Sequence, residues 1–147
     1  MKKVILLILL VTVALFTSCM TTEKDNEESY NFLMAHIDDS KAIKSFLDKE
    51  ISHGYEIDDN IMGGDTVLMI AARYTTNIEV LKTITTYYPS IHQLNRTNDM
   101  SALDYLSHRE GTDEMEKLLI EASVKQELTK KANEAKTSIV KGLFKKF

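Results

Sequence analysis

Gly64-Asp65-Thr66-Val67-Leu68-Met69-Ile70-Ala71-Ala72 is the stretch on which the reading of this chain turns. A threonine hydroxyl standing just before an unbroken apolar run is a helix N-cap signal, because its oxygen accepts one of the orphan backbone N–H groups of the first turn. Gly64 suits the positive φ of a tight turn immediately upstream. Ala71 and Ala72 are small and let neighbouring helices approach closely. Further along, Asp99-Met100-Ser101-Ala102-Leu103-Asp104-Tyr105-Leu106 repeats the arrangement. Ser101 follows Thr66 by 35 residues, and each is followed two residues later by leucine, Leu68 and Leu103. Asp99 takes the place of Gly64, and aspartate is tolerated in such a turn. Each stretch leads to a second apolar run: Ile78, Val80, Leu81 and Ile84 after the first, Met115, Leu118, Leu119 and Ile120 after the second. The spacing predicts helix, turn, helix and extended link, made twice.

A partial third copy stands upstream, from Tyr30 to Asp58, with Ile43, Phe46 and Leu47 on its second helix. Gly54 is expected to end that helix in the left-handed conformation. His53, just before it, suits the negative end of the helix dipole. The period and the Thr-x-Leu-x-x-Ala-Ala signature resemble the ankyrin repeat, a helix–turn–helix unit of about 33 residues marked by Thr-Pro-Leu-His-x-Ala. The match is fullest at Gly64, Thr66, Leu68, Ala71 and Ala72 and looser at Ser101, Leu103 and Leu106. Val67 and Ala102 stand where the proline is usual. The resemblance covers roughly residues 30–122. It implies an all-α fold: a short ankyrin-like helical repeat stack of about three units, with a C-terminal amphipathic helix. Repeats of this kind bury their apolar faces against neighbours, and the end units are irregular.

The two ends of the chain have a different character. Met1-Lys2-Lys3 is a positive start, and Val4 to Phe16 is apolar except for Thr12. That run is well short of the roughly 20 residues a spanning helix needs, and it has the form of an export signal. Leu15-Phe16-Thr17-Ser18-Cys19 resembles a bacterial lipobox, with Phe16 in place of the usual leucine. The resemblance implies cleavage before Cys19 and acylation of that residue, which is the chain's only cysteine. The expected organisation is a lipoprotein signal peptide at 1–18, a polar tether at 19–29, the repeats at 30–124 and a basic amphipathic helix at 125–147. The expected location is the bacterial cell envelope, lipid-anchored.

Charge is divided along the chain. The net formal charge is −4, yet from Lys125 onward seven lysines meet only two glutamates. The acidic body lacks the basic face that nucleic acid requires. In the tail, Val124, Leu128, Ala132, Ala135, Ile139, Val140, Leu143, Phe144 and Phe147 recur at three- and four-residue steps, the helical period. Ile139 to Phe147 is expected to contact a membrane or a partner protein.

Catalytic patterns are not found in the sequence. His36, His53, His92 and His108 do not pair with carboxylates at metal-ligand spacing, and one cysteine provides no zinc pair. Asp58-Asp59-Asn60 lacks the closing glutamate of a calcium loop. The sequence therefore predicts a non-enzyme with no cofactor, no metal and no small-molecule substrate. The resemblance implies that protein recognition occurs at the loop tips and on the face of the first helices. The tip residues are Asn60, Ile61, Met62 and Asp65, with Arg96, Thr97, Asn98, Asp99 and Met100. The helix-face residues are Met69, Arg73, Tyr74, Asp104, Tyr105 and His108. Met62, Tyr74 and Tyr105 are the expected anchors, since aromatic side chains dominate binding hot spots and methionine adapts to varied partners. An alternative is a surface-exposed or secreted factor that meets membrane or host through the basic helix.

Overall fold

The computed structural model describes residues 26–144, with side chains to residue 137. The export signal, Cys19, the tether up to residue 25 and the side chains from Ile139 to Phe147 lie outside the described residues. The described chain is all-helical, with no strand. Helix α1 covers residues 26–35. It is followed by α2 (Ser40–Ser52), α3 (Val67–Tyr74), α4 (Ile78–Thr85), α5 (Ala102–Ser107) and α6 (Asp113–Phe144).

Each helix starts where a short polar side chain can cap it. Asp39 accepts from Lys41 N–H and Ala42 N–H, both at 3.0 Å, at the head of α2. Thr66 and Ser101 cap α3 and α5 as their spacing predicts, and Asn77 caps α4. At α5 the box is closed by Asp104, whose carboxylate accepts from Ser101 N–H at 2.8 Å. Asp113, Glu114 and Glu116 place negative charge in the first turn of α6, where the dipole favours it. The turns before the two caps have the expected left-handed residues, Gly64 at φ 81° and Asp99 at φ 56°. His53 occupies the C-terminal cap of α2, and Gly54 follows at φ 98°.

The helices come in pairs joined by short turns. α3 packs on α5, while α2 packs on α4 and α4 on α6. First members of the pairs thus meet first members, and second members meet second. α3 is buried almost all round, from Val67 to Ala72, as befits a central helix. Ile43, Phe46 and Leu47 of α2, Val80, Leu81 and Ile84 of α4, and Met115 and Leu119 of α6 complete the core. Leu33 ties α1 to it, and Phe32 stacks on Phe46 with ring centroids 5.1 Å apart.

Two expected boundaries shift. The helix α1 begins within the segment read as tether, so residues 26–29 are helical. The division at 124/125 falls inside the continuous helix α6. No residue between Asp113 and Phe144 breaks a helix strongly enough to end it; the only glycine there is Gly142. The change in charge at Lys125 marks a change of surroundings along one element.

Candidate functional site

The two loop tips precede α3 and α5 and are closed alike. Ile61 N–H donates to the Asp65 carbonyl at 2.8 Å, and Asn95 N–H to the Met100 carbonyl at 2.9 Å. Asn95 then reaches across from the second tip to the first. Its amide nitrogen donates to Asp65 Oδ1 at 2.6 Å and to the Gly63 carbonyl at 3.0 Å. Its oxygen accepts from Thr97 N–H at 2.6 Å. The Tyr105 hydroxyl on α5 donates to the same Asp65 oxygen at 2.8 Å and accepts from the Asn98 amide at 2.9 Å. Burial, together with the neighbouring Asp65 carboxylate, pushes the Tyr105 hydroxyl above its ordinary pKa, against the pull of Asn98.

Arg73 lies over this braced cluster. Its guanidinium is 5.1 Å from the Tyr74 ring centroid and 5.4 Å from that of Tyr105. Nη1 stands 3.7 Å from Asp65 Oδ2, and the side chain is 49% exposed. Cation–π contact of this kind is worth about 0.5–1 kcal/mol at an exposed site. Its larger effect here is to hold a planar, five-donor cation flat against two rings with its outer edge open to solvent.

The structure divides the sequence-predicted residues into two groups. Met62, Arg73, Arg96, Thr97, Asn98, Asp99, Asp104 and His108 are exposed, with Asn60, Tyr74 and Met100 half-buried. These are available to a partner. Ile61, Asp65, Met69 and Tyr105 are buried, and the expectation that they meet a partner is corrected. Met69 is 1% exposed because the face of α3 on which it lies is covered. Its sulfur sits 3.5 Å from Thr66 N, inside the helix cap. Asp65 and Tyr105 serve the cluster beneath Arg73, and Ile61 belongs to the core.

Several residues that organise this surface escape a reading of the sequence. Asn95 is one. Asp38 is another: its Oδ1 accepts from the Thr75 hydroxyl at 2.7 Å, Thr76 N–H at 2.7 Å and Asn77 N–H at 3.2 Å. The Thr75 hydrogen bond above all, with the two backbone donors, holds the Asp38 carboxyl below the usual carboxylate range despite some burial. From the other side Arg109 donates to the carbonyls of Ala72 and Thr75 at 2.6 and 2.7 Å. The α3–α4 turn is therefore gripped from both neighbouring turns. Nothing in the local sequence marks these residues, because each acts on groups 34 or more positions away.

Asp58 has a structural role. Its side chain accepts from Ser90 N–H at 2.7 Å and its carbonyl from the Gln93 amide at 3.0 Å, joining the two links. Among the described residues no group of three or more histidine, cysteine, aspartate or glutamate side chains is placed to hold a metal ion. No helix among them is long and apolar enough to cross a membrane. No family model, no curated protein and no solved structure matches this chain.

Proposed function

We propose that the chain is a non-catalytic protein-interaction module, built as a short ankyrin-like stack and held in the bacterial envelope by a lipid on Cys19. The 35-residue offset between Thr66 and Ser101, both acting as caps, supports the repeat reading. So does the pairing of first helices with first and second with second. The observation that carries the functional reading is Arg73. An arginine fixed between Tyr74 and Tyr105, over a cross-braced pair of loop tips, presents hot-spot residue types on a surface that needs little ordering to bind. Met62, half exposed at the first tip, extends the patch with an adaptable apolar contact. The N-terminal export signal and lipobox supply the location.

Site-specific photo-cross-linking in the native envelope tests this reading. A photoreactive residue at Tyr74 is expected to trap a protein partner, and one at Ile51 on α2 is not. Absence of protein adducts at Tyr74, Met62 and Asp104, or equal trapping at Ile51, contradicts it.

A further inference from the structure

Helix α6 is apolar on two sides. Met115 and Leu119 face the body and are buried. Ile120, Val124 and Leu128 follow at four-residue steps on the opposite side, and are 51%, 54% and 63% exposed. The same position on α4 is covered by the next helix: Thr85 and Thr86 lie beside Ala122 and Lys125 of α6. On α6 no further helix follows in the described chain, and an end face is expected to be polar. Three large aliphatic side chains in solvent are therefore a surplus that the stack itself does not use.

The helix also runs well past its support. No described side chain beyond Gln126 is buried, yet α6 continues to Phe144, a further length of about 27 Å at the helical rise. An unsupported helix of that length is marginal in water. By helical spacing Lys131 falls on one border of the stripe, and Lys125 and Lys136 fall on the other. Glu127 and Glu134 fall farther round. Lysine stems lie along an apolar surface while their ammonium groups reach outward. An apolar stripe bordered on both sides by lysine is the pattern of a helix lying in the plane of a bilayer interface.

We infer that the outer face of α6, centred on Ile120, Val124 and Leu128, seats on an anionic lipid surface. The excess of lysine from residue 125 onward is the charge complement of such a surface. A second copy of the chain is less suited: it would set one lysine-bordered stripe against another. Because the stripe points away from α4 and α5, the stack stands on the far side of the helix from the lipid, with the Arg73 surface on other elements. The inference does not depend on acylation of Cys19.

The chain contains no tryptophan, which makes single reporters simple. Leu128→Trp and Asn133→Trp, the latter on another face of α6, are each made in the full chain. Each is reconstituted in vesicles of brominated phosphatidylglycerol or of brominated phosphatidylcholine. The expected result is blue-shifted emission at position 128 in phosphatidylglycerol, with quenching at least about twofold stronger than at 133. Equal quenching at the two positions, or equal effects in the two lipids, overturns the inference. A lipid-free blue shift at position 128 that grows with protein concentration assigns the face to a second copy and overturns it as well.

Discussion

Asp65 lies beneath the surface that Arg73 presents, and the bonds to its carboxylate come from residues far along the chain. The amide of Asn95 supplies two of the bonds that join the tips. Asn95→Ala is expected to cost about 1–3 kcal/mol, because it leaves Asp65 and the Gly63 carbonyl short of a donor. Urea unfolding reads this directly, and a loss below the error of the measurement contradicts the role given to Asn95. The two turn residues make a second test. Gly64→Ala places a Cβ at φ 81°, 3.1 Å from Asn95 Oδ1 and 3.3 Å from Thr97 Oγ1, and is expected to destabilise by about 1–2 kcal/mol. Asp99→Gly relieves a left-handed aspartate and is expected to be neutral or stabilising by up to about 1 kcal/mol. Thermal melts of the two variants should therefore move in opposite directions, or the first alone should fall. Thr66, Ser101 and Gly64 were legible in the sequence because each acts within its own turn. Asn95 was not, since its partners come from another loop and nothing in its own neighbourhood distinguishes it.

At the scale of elements, the α3–α4 turn is the most heavily fastened connection, held by Asp38 on one side and Arg109 on the other. Arg109→Ala is expected to cost about 1–3 kcal/mol by freeing the carbonyls of Ala72 and Thr75. Arg109→Lys should recover only part of that, since an ammonium cannot reproduce the fork. Asp38 links the same turn to pH. Its folded-state pKa is depressed, as is that of Asp104, chiefly through the Ser101 hydroxyl. Such a group contributes stability that is fully present above the ordinary carboxylate pKa of about 4 and is lost as pH falls through the lower folded value. Wild-type protein should therefore lose Tm between pH 5 and pH 3, values that bracket about 4. Asp38→Asn, which does not titrate, should lose less over the same interval; an identical fall in the two proteins contradicts the assignment. The helix pairs themselves were readable from apolar spacing. The true extent of α6 was not, because a change of charge resembles a boundary while a helix ends only where backbone or capping chemistry ends it. Burial on α3 was likewise hidden: Met69 and Tyr105 sit on the expected helices, but helix packing and the polar cluster cover the faces they occupy.

Over the whole molecule the surfaces separate by task. The loop tips and the Arg73 face are braced from within and present polar, aromatic and sulfur-containing side chains. The outer side of α6 is aliphatic and bordered by lysine. The proposed lipid at Cys19 sets the chain at a membrane from one end, and α6 adds a contact at the other. This division gives a small stack two fixed points and leaves its recognition face clear. The claim on which the account depends is the acylated N-terminus, and intact mass spectrometry of the protein recovered from the envelope tests it most directly. The account predicts a mature chain that begins at Cys19 and carries the mass of attached acyl chains. A mature chain with an unmodified Cys19, or one that retains residues 1–18, contradicts it.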